Sequence, residues 1–285
     1  MTVELIVSPR NEGVQADLSE AQSWNAYAVE LRSVLRTVIA ESGVDTLQVS
    51  ELLVSRPLPD RYCMLRNGWE LSPAKAVDLV EDMVAGFGPY CRLSRASRLR
   101  IESGWNGAVH LYMPPEIANN LVGLCSEHVS LQWRSAVPES APESRLVKRA
   151  ADDTFWAAVM SVTGRVTLLC ERWAYGAFGC RWFRITPENI AEVSQAVRPR
   201  SLLCVVVDPD LRLQPALLND DFTAFKDPFT VGELIYRAYP DGADDLAEVI
   251  GDGFLFMLND AILSNWCAVV PDPDGEVRGQ WEELR

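Results

Sequence analysis

From residue 24 to residue 38 the chain sets Trp24, Tyr27, Leu31, Val34, Leu35 and Val38 three or four positions apart, the spacing of one face of an α-helix. Ser19 opens an S-x-x-Q capping-box pattern with Gln22, and Gly43 supplies the stop. Shorter runs read as strands: "VELIV" ahead of this helix, then "TLQVSELLV" and "RYCML" behind it. The stretch "LSP" predicts a second helix with Ser72 as N-cap and Pro73 at the first position, where a missing N–H costs nothing. Its inward residues are Val77, Val80 and Val84, and Gly86 ends it. "YCRLSRASRLRIES" and "GAVHLYM" follow as strands, and "PPEIANNLVGL" as a short helix.

The second half runs through a similar order. Asp152 or Asp153 caps a helix carrying Phe155, Trp156, Val159 and Met160, closed by Gly164. "RVTLLCERW" and "GCRWFRI" read as strands. Thr186 and Pro187 start a helix that turns Ile190, Val193 and Val197 inward. "SLLCVVV" and "LRLQP" read as strands around "DPD". Thus "WELSPAKAVDLV" (69–80) and "FRITPENIAEV" (183–193) are two versions of one helix start, and neither carries a side-chain set suited to chemistry. Beyond them, "TVGE" (230–233) is a capping box before Leu234, Ile235 and Ala238. "LAEVIGDGFLFML" reads as helical at its beginning, and "NWCAVV" as a strand closed by a "PDPDG" turn.

These elements place the chain in the α+β class: two similar subdomains, each a small, mainly antiparallel sheet with packed helices. The first spans residues 1–134. "SAVPESAPESR" is too polar and Pro/Ser-rich to order itself, so 135–149 is read as a linker. Residues 150–285 form the second subdomain with an acidic C-terminal extension.

Composition narrows the class. A hydrophobic content of 48% with nine Trp marks an ordered globule. No apolar run reaches the roughly 18 residues of a membrane helix, and "MTVELIVSPR" has no basic start, so the expected location is the cytoplasm. Seven scattered cysteines without a C-x-x-C pair read as reduced, mostly buried thiols, with no structural zinc. The charge is uneven. Residues 1–200 hold 23 acidic and 21 basic side chains, a net of −2; residues 201–285 hold 17 and 5, a net of −12. Such acidity argues against nucleic-acid binding and favours a basic protein partner.

Candidate chemistry is sparse. There is no G-x-S-x-G elbow, Walker A, H-E-x-x-H or complete G-x-G-x-x-G. Of the two histidines, His110 lies in an alternating strand with Tyr112 on the same face. His128 follows Cys125 at i+3, a spacing that would pair them on a helix. Arg92, Arg95, Arg98 and Arg100 form the one basic cluster, read as the guard of an edge strand. The D-P-D and D-P-D-G runs are turn sequences. "RPLPDRYCMLRNGWEL" (56–71) resembles, over its 16 residues, the LP…Y…NG stretch of a family of bacterial immunity proteins, with a shorter Pro59-to-Asn67 interval than that family shows. No residue roles carry over from it.

The leading expectation is a non-catalytic, cytoplasmic protein-binding module, in its concrete form an acidic inhibitor of the immunity type. Asp208, Asp210, Asp220, Asp221, Asp241, Asp244 and Asp245 would face a basic protein, with no cofactor and no metal. The alternatives are a carboxylate-dependent hydrolase or transferase, and a structural subunit of a larger assembly.

Overall fold

The computed structural model describes residues 2–10, 18, 20–54, 58–135, 146–176, 178–208, 222–230, 233–238, 255–258 and 266–282. The chain is mixed α+β with antiparallel sheets. It divides into two compact units, Met1–Leu53 with Leu58–Glu143, and Val54–Pro57 with Ser144–Arg285. The boundary near residue 144 falls inside the stretch read as a linker. Residues 136–145 lie outside the described residues. Those just after them are tied down: the Val147 N–H donates to Trp281 O, and Arg149 O accepts from Val269 N–H, both at 2.8 Å.

In the first unit, β1 (Val3–Pro9), β2 (Leu47–Leu53), β3 (Glu70–Leu71), β4 (Tyr90–Arg95), β5 (Leu99–Ser103), β6 (Val109–Met113) and β7 (Val129–Ser135) form one sheet. Their order is β3-β2-β4-β5-β6-β1-β7, antiparallel throughout. Helix α1 (Ala21–Ser42) buries Tyr27, Leu31, Val34, Leu35, Val38 and Ile39. The helix ends where Gly43 turns left-handed (φ 61°) and returns its N–H to Ala40 O. Its N-cap is Glu20; Ser19 lies outside the described residues. Helix α2 (Pro73–Val84) packs against α1 and buries Ala76, Val77, Leu79 and Val80, with Val84 only half-buried. Each fully buried aliphatic side chain contributes roughly 1.5–3 kcal/mol. A short helix α3 (Pro115–Asn120) precedes β7.

In the second unit, β8 (Thr167–Arg172), β9 (Cys180–Ile185), β10 (Leu202–Val207), β11 (Phe222–Thr230), β12 (Glu233–Ala238), β13 (Leu255–Leu258) and β14 (Cys267–Val269) run in the order β13-β11-β12-β9-β8-β10-β14, also antiparallel. Helix α4 (Asp153–Val162) and helix α5 (Ile190–Ala196) cover a core of Phe155, Val159, Leu169, Phe183, Ile190, Val193, Leu203 and Val205. Asp152 caps α4, accepting the Phe155 N–H at 2.9 Å. The other sheet face buries Cys170, Trp182, Cys204 and Trp281.

Two crossovers have the same form. β3 and β4 both run antiparallel to β2, so α2 joins two parallel strands across an intervening one. β9 and β10 stand in the same relation to β8, with α5 between them.

Several expectations change. "RYCML" is a 3₁₀ turn (Asp60–Tyr62) rather than a strand. Its neighbour Asn67 is fully buried, and its Oδ1 accepts the Leu52 N–H at 2.8 Å. The Ser72 hydroxyl makes no capping bond, although Ser72 is the N-cap and Pro73 stands at the first position. Helix α5 begins later than Thr186: the Asn189 amide takes the Thr186 N–H at 2.9 Å and donates to Arg184 O at 2.8 Å. "TVGE" precedes strand β12, not a helix, and 255–258 is strand β13. There, pairing of Glu233 and Leu234 with Phe183 and Trp182 of β9 prevails over the local capping signal. "LRLQP" lies outside the described residues. The "PDPDG" turn forms as expected, with Gly275 at φ 85° and its N–H on Asp272 O. No helix among the described residues is long and apolar enough to cross a membrane.

Candidate functional site

Of the seven aspartates expected to face a partner, Asp208 alone lies among the described residues. It ends β10 in a left-handed conformation (φ 50°), where its N–H donates to Val166 O at 2.7 Å. Its carboxylate accepts from Arg165 Nε at 2.7 Å, so it already has a cation. Asp210, Asp220, Asp221, Asp241, Asp244 and Asp245 lie outside the described residues. The aspartates of the "PDPDG" turn are also engaged. Asp272 accepts from Arg200 Nε at 2.9 Å and Arg278 Nη1 at 3.0 Å, and Asp274 from Arg278 Nη1 at 2.7 Å.

The arginine cluster does not guard an edge. β4 and β5 are interior strands of their sheet, and the arginines tie them to other parts of the unit. Arg92 reaches Glu51 at 2.7 Å and Glu102 at 2.5 Å, and Arg95 reaches Glu70 at 3.2 Å. Arg98 donates to Ser42 O at 2.7 Å, tying the strand turn to the end of α1. The Arg100 guanidinium lies 3.9 Å from the centre of the Tyr112 ring, a cation–π contact. His110 continues this row: its Nδ1 is 2.7 Å from Glu4 Oε1 and its ring stacks on Tyr112. On the opposite face of the same strand, Val109, Leu111 and Met113 are buried. His110 is therefore part of a row of cross-strand polar contacts on one half-buried face of the sheet.

The thiols divide by environment. Cys91, Cys170, Cys180 and Cys204 are buried, whereas Cys63 and Cys125 are exposed; all seven are thiols rather than disulfides. Burial pushes the Cys91 thiol up to about 12. Cys204 and Cys267, directly opposite on β10 and β14, have their sulfurs 3.3 Å apart.

His128 is not on a helix with Cys125. It sits in the exposed turn before β7, and what faces it is Glu30 of α1. Glu30 Oε2 accepts the His128 N–H at 2.7 Å and also the Ser126 hydroxyl. Glu30 Oε1 lies 4.0 Å from His128 Nε2. Partial burial pulls the Glu30 carboxyl upward, but the Ser126 hydroxyl, the His128 N–H and the His128 ring outweigh it and hold the carboxyl below its ordinary range. Among the described residues, Glu30, Glu127 and His128 form the one group of three whose ligating atoms all lie within 4.8 Å of one another. Glu127 and His128 also line a cleft of about 550 Å³ whose other walls include Arg10, Gln22 and Tyr27. The Tyr27 hydroxyl donates to Gly107 O, and burial raises its pKa.

Glu30 is the residue that sequence reading passed over. It lies on the helix almost a hundred positions before the turn it meets, and no spacing in the sequence links the two. Comparison with known protein families, curated proteins and solved structures finds no match to this chain.

Proposed function

We propose that the chain is a non-catalytic binding module whose acidic C-terminal third takes a basic protein partner, in its concrete form an inhibitor of the immunity type. The observation that supports this reading is where the charge lies. Residues 201–285 carry −12 of the net −14. Among the described residues, several arginines of the preceding part are engaged by carboxylates of their own surroundings: Arg32 by Asp78, Arg92 by Glu51 and Glu102, Arg95 by Glu70, Arg181 by Glu171. Arg165, Arg200 and Arg278 are taken by Asp208, Asp272 and Asp274. Within residues 201–285, 17 acidic side chains stand against 5 basic ones, so this part of the chain cannot neutralise its own charge. The shared helix–strand–strand–helix–strand order of the two units is read as reused scaffold, which leaves both Ser/Thr-Pro stretches without a chemical role.

The test uses wild type and Asp220→Asn with Asp221→Asn as baits in the same cell extract. Association rates of the retained protein are then measured across a salt series. A basic partner should associate more slowly as the Debye length falls from about 10 Å at 0.1 M to about 3 Å at 1 M. The double substitution should slow association more than it speeds dissociation. Rates indifferent to salt and to substitution would return the charge to plain solubility.

A further inference from the structure

The geometry points to a second site, independent of the acidic third: we propose that Glu30, Glu127 and His128 bind a divalent transition-metal ion of the zinc class, with its open coordination positions turned toward the cleft. One imidazole nitrogen and two carboxylate oxygens form a borderline donor set that suits Zn²⁺ and its neighbours better than Ca²⁺ or Mg²⁺. Three protein ligands leave room for a water or a ligand atom, as in open zinc sites. The cleft of about 550 Å³ beside them lies within the usual range of small-molecule sites.

The spacing fits. Two ligand atoms bound to one zinc at about 2.0–2.1 Å in tetrahedral geometry are roughly 3.4 Å apart. Glu30 Oε1 and His128 Nε2 stand at 4.0 Å, so a small side-chain adjustment closes the gap. The site is also oriented in advance. Ser126 and the His128 N–H hold Glu30 Oε2, which turns Oε1 toward the imidazole, as outer hydrogen bonds orient metal-binding carboxylates. The turn carrying the other two ligands is fixed in its turn: the Ser126 hydroxyl accepts the Val129 N–H at 3.2 Å, and His128 O accepts the Arg10 N–H at 2.9 Å.

A simple tether between helix and turn would need only Ser126 and the His128 amide. It does not account for the Glu127 carboxylate, which approaches within 4.8 Å of both Glu30 and His128. Two carboxylates that close repel each other; a shared cation removes that repulsion.

The experiment uses the full chain carrying Cys63→Ser and Cys125→Ser, so that the exposed thiols cannot bind metal. After chelator treatment it is titrated with Zn²⁺ by calorimetry and with Co²⁺ by visible absorption. One saturable site per chain and a Co²⁺ ligand-field band are expected. His128→Ala and Glu127→Gln, both at exposed positions, should each weaken binding by at least about 10-fold. Glu116→Gln, an exposed acid of α3, should change nothing. Absence of saturable binding at millimolar metal would overturn the proposal, as would equal weakening by Glu116→Gln in variants with unchanged circular dichroism.

Discussion

Substituting Glu171 by alanine would remove the acceptor for three donors in the second unit: Arg181 Nε at 2.6 Å, the Arg198 backbone N–H at 2.6 Å and the Ser201 hydroxyl at 3.0 Å. The Glu171 side chain is fully buried, whereas Arg181 keeps 23% of its side chain exposed and a second bond to Ala196 O. The guanidinium therefore recovers part of its solvation, while the amide and the hydroxyl do not. A buried donor left without an acceptor costs about 1–3 kcal/mol, and breaking a buried ion pair by removing one partner about 3–5 kcal/mol. Because these overlap, we expect about 3–5 kcal/mol in total. At roughly 2–4 °C per kcal/mol for a unit of this size, the transition should fall by about 6–20 °C. Glu171→Gln keeps one acceptor oxygen for the Arg198 N–H and the Ser201 hydroxyl but turns an NH2 group toward Arg181, so it should cost less than Glu171→Ala, about 1–3 kcal/mol. Trp182 and Trp281 lie in the core of this unit, so denaturation followed by tryptophan fluorescence, with calorimetry to separate the transitions of the two units, measures the loss. A cost below about 1 kcal/mol for Glu171→Ala would refute the reasoning, since it would mean that the three donors find other acceptors.

Asp152→Ala should cost about 1 kcal/mol, the usual worth of a cap, because it removes the acceptor for the Phe155 N–H. Ser72→Ala should stay within about 0.5 kcal/mol, because the Ser72 hydroxyl caps nothing; urea midpoints of the two variants decide both. Gly179→Ala should destabilise by about 1–3 kcal/mol, since an added Cβ would stand 2.5 Å from Ala174 O, whereas Gly123→Ala meets nothing within 4 Å and should be neutral on thermal melting. The Cys91 thiol, raised from 9.0 to about 12 by burial, keeps its proton in the folded state while an unfolded chain loses it. Its contribution is full below pH 9 and is lost as pH rises from 9 toward 12. A Cys91→Ala variant should show a flatter decline of stability over that range, and a thiol reagent at pH 8 should modify Cys63 and Cys125 well before Cys91.

The strongly periodic parts of the fold were legible. The face of α1, the alternation of β6 and the aspartate cap of α4 follow from side-chain spacing alone, because in each the local preference and the tertiary environment agree. The failures occur where they conflict. "TVGE" carries a helix-start signal, yet residues 233–238 pair on both sides within a sheet, and two strand neighbours outweigh one cap. The arginines of β4 and β5 read as edge guards because a sequence does not show that β2 and β6 will flank them. Once they do, charges on an interior strand become cross-strand pairs.

Sites follow the same division more sharply, because a site depends on long-range contacts that no local pattern encodes. The sequence offered His128 with Cys125, a pairing valid only on a helix. A turn at 121–128 instead exposes Cys125 and brings His128 against α1, where Glu30 waits one helical turn beyond Tyr27. Two independent anchors then fix the arrangement: the pairing of β1 with β7, which places Arg10 beside His128, and the burial of Tyr27, which fixes the rotation of α1. The same constraints set the fate of the two histidines. His110, hydrogen-bonded to Glu4 of the neighbouring strand, has a structural partner. His128, at the rim of a cleft, instead has the carboxylates of Glu30 and Glu127 within 4.8 Å of its ring, so its surroundings are set by one helix residue and one turn residue rather than by a strand partner.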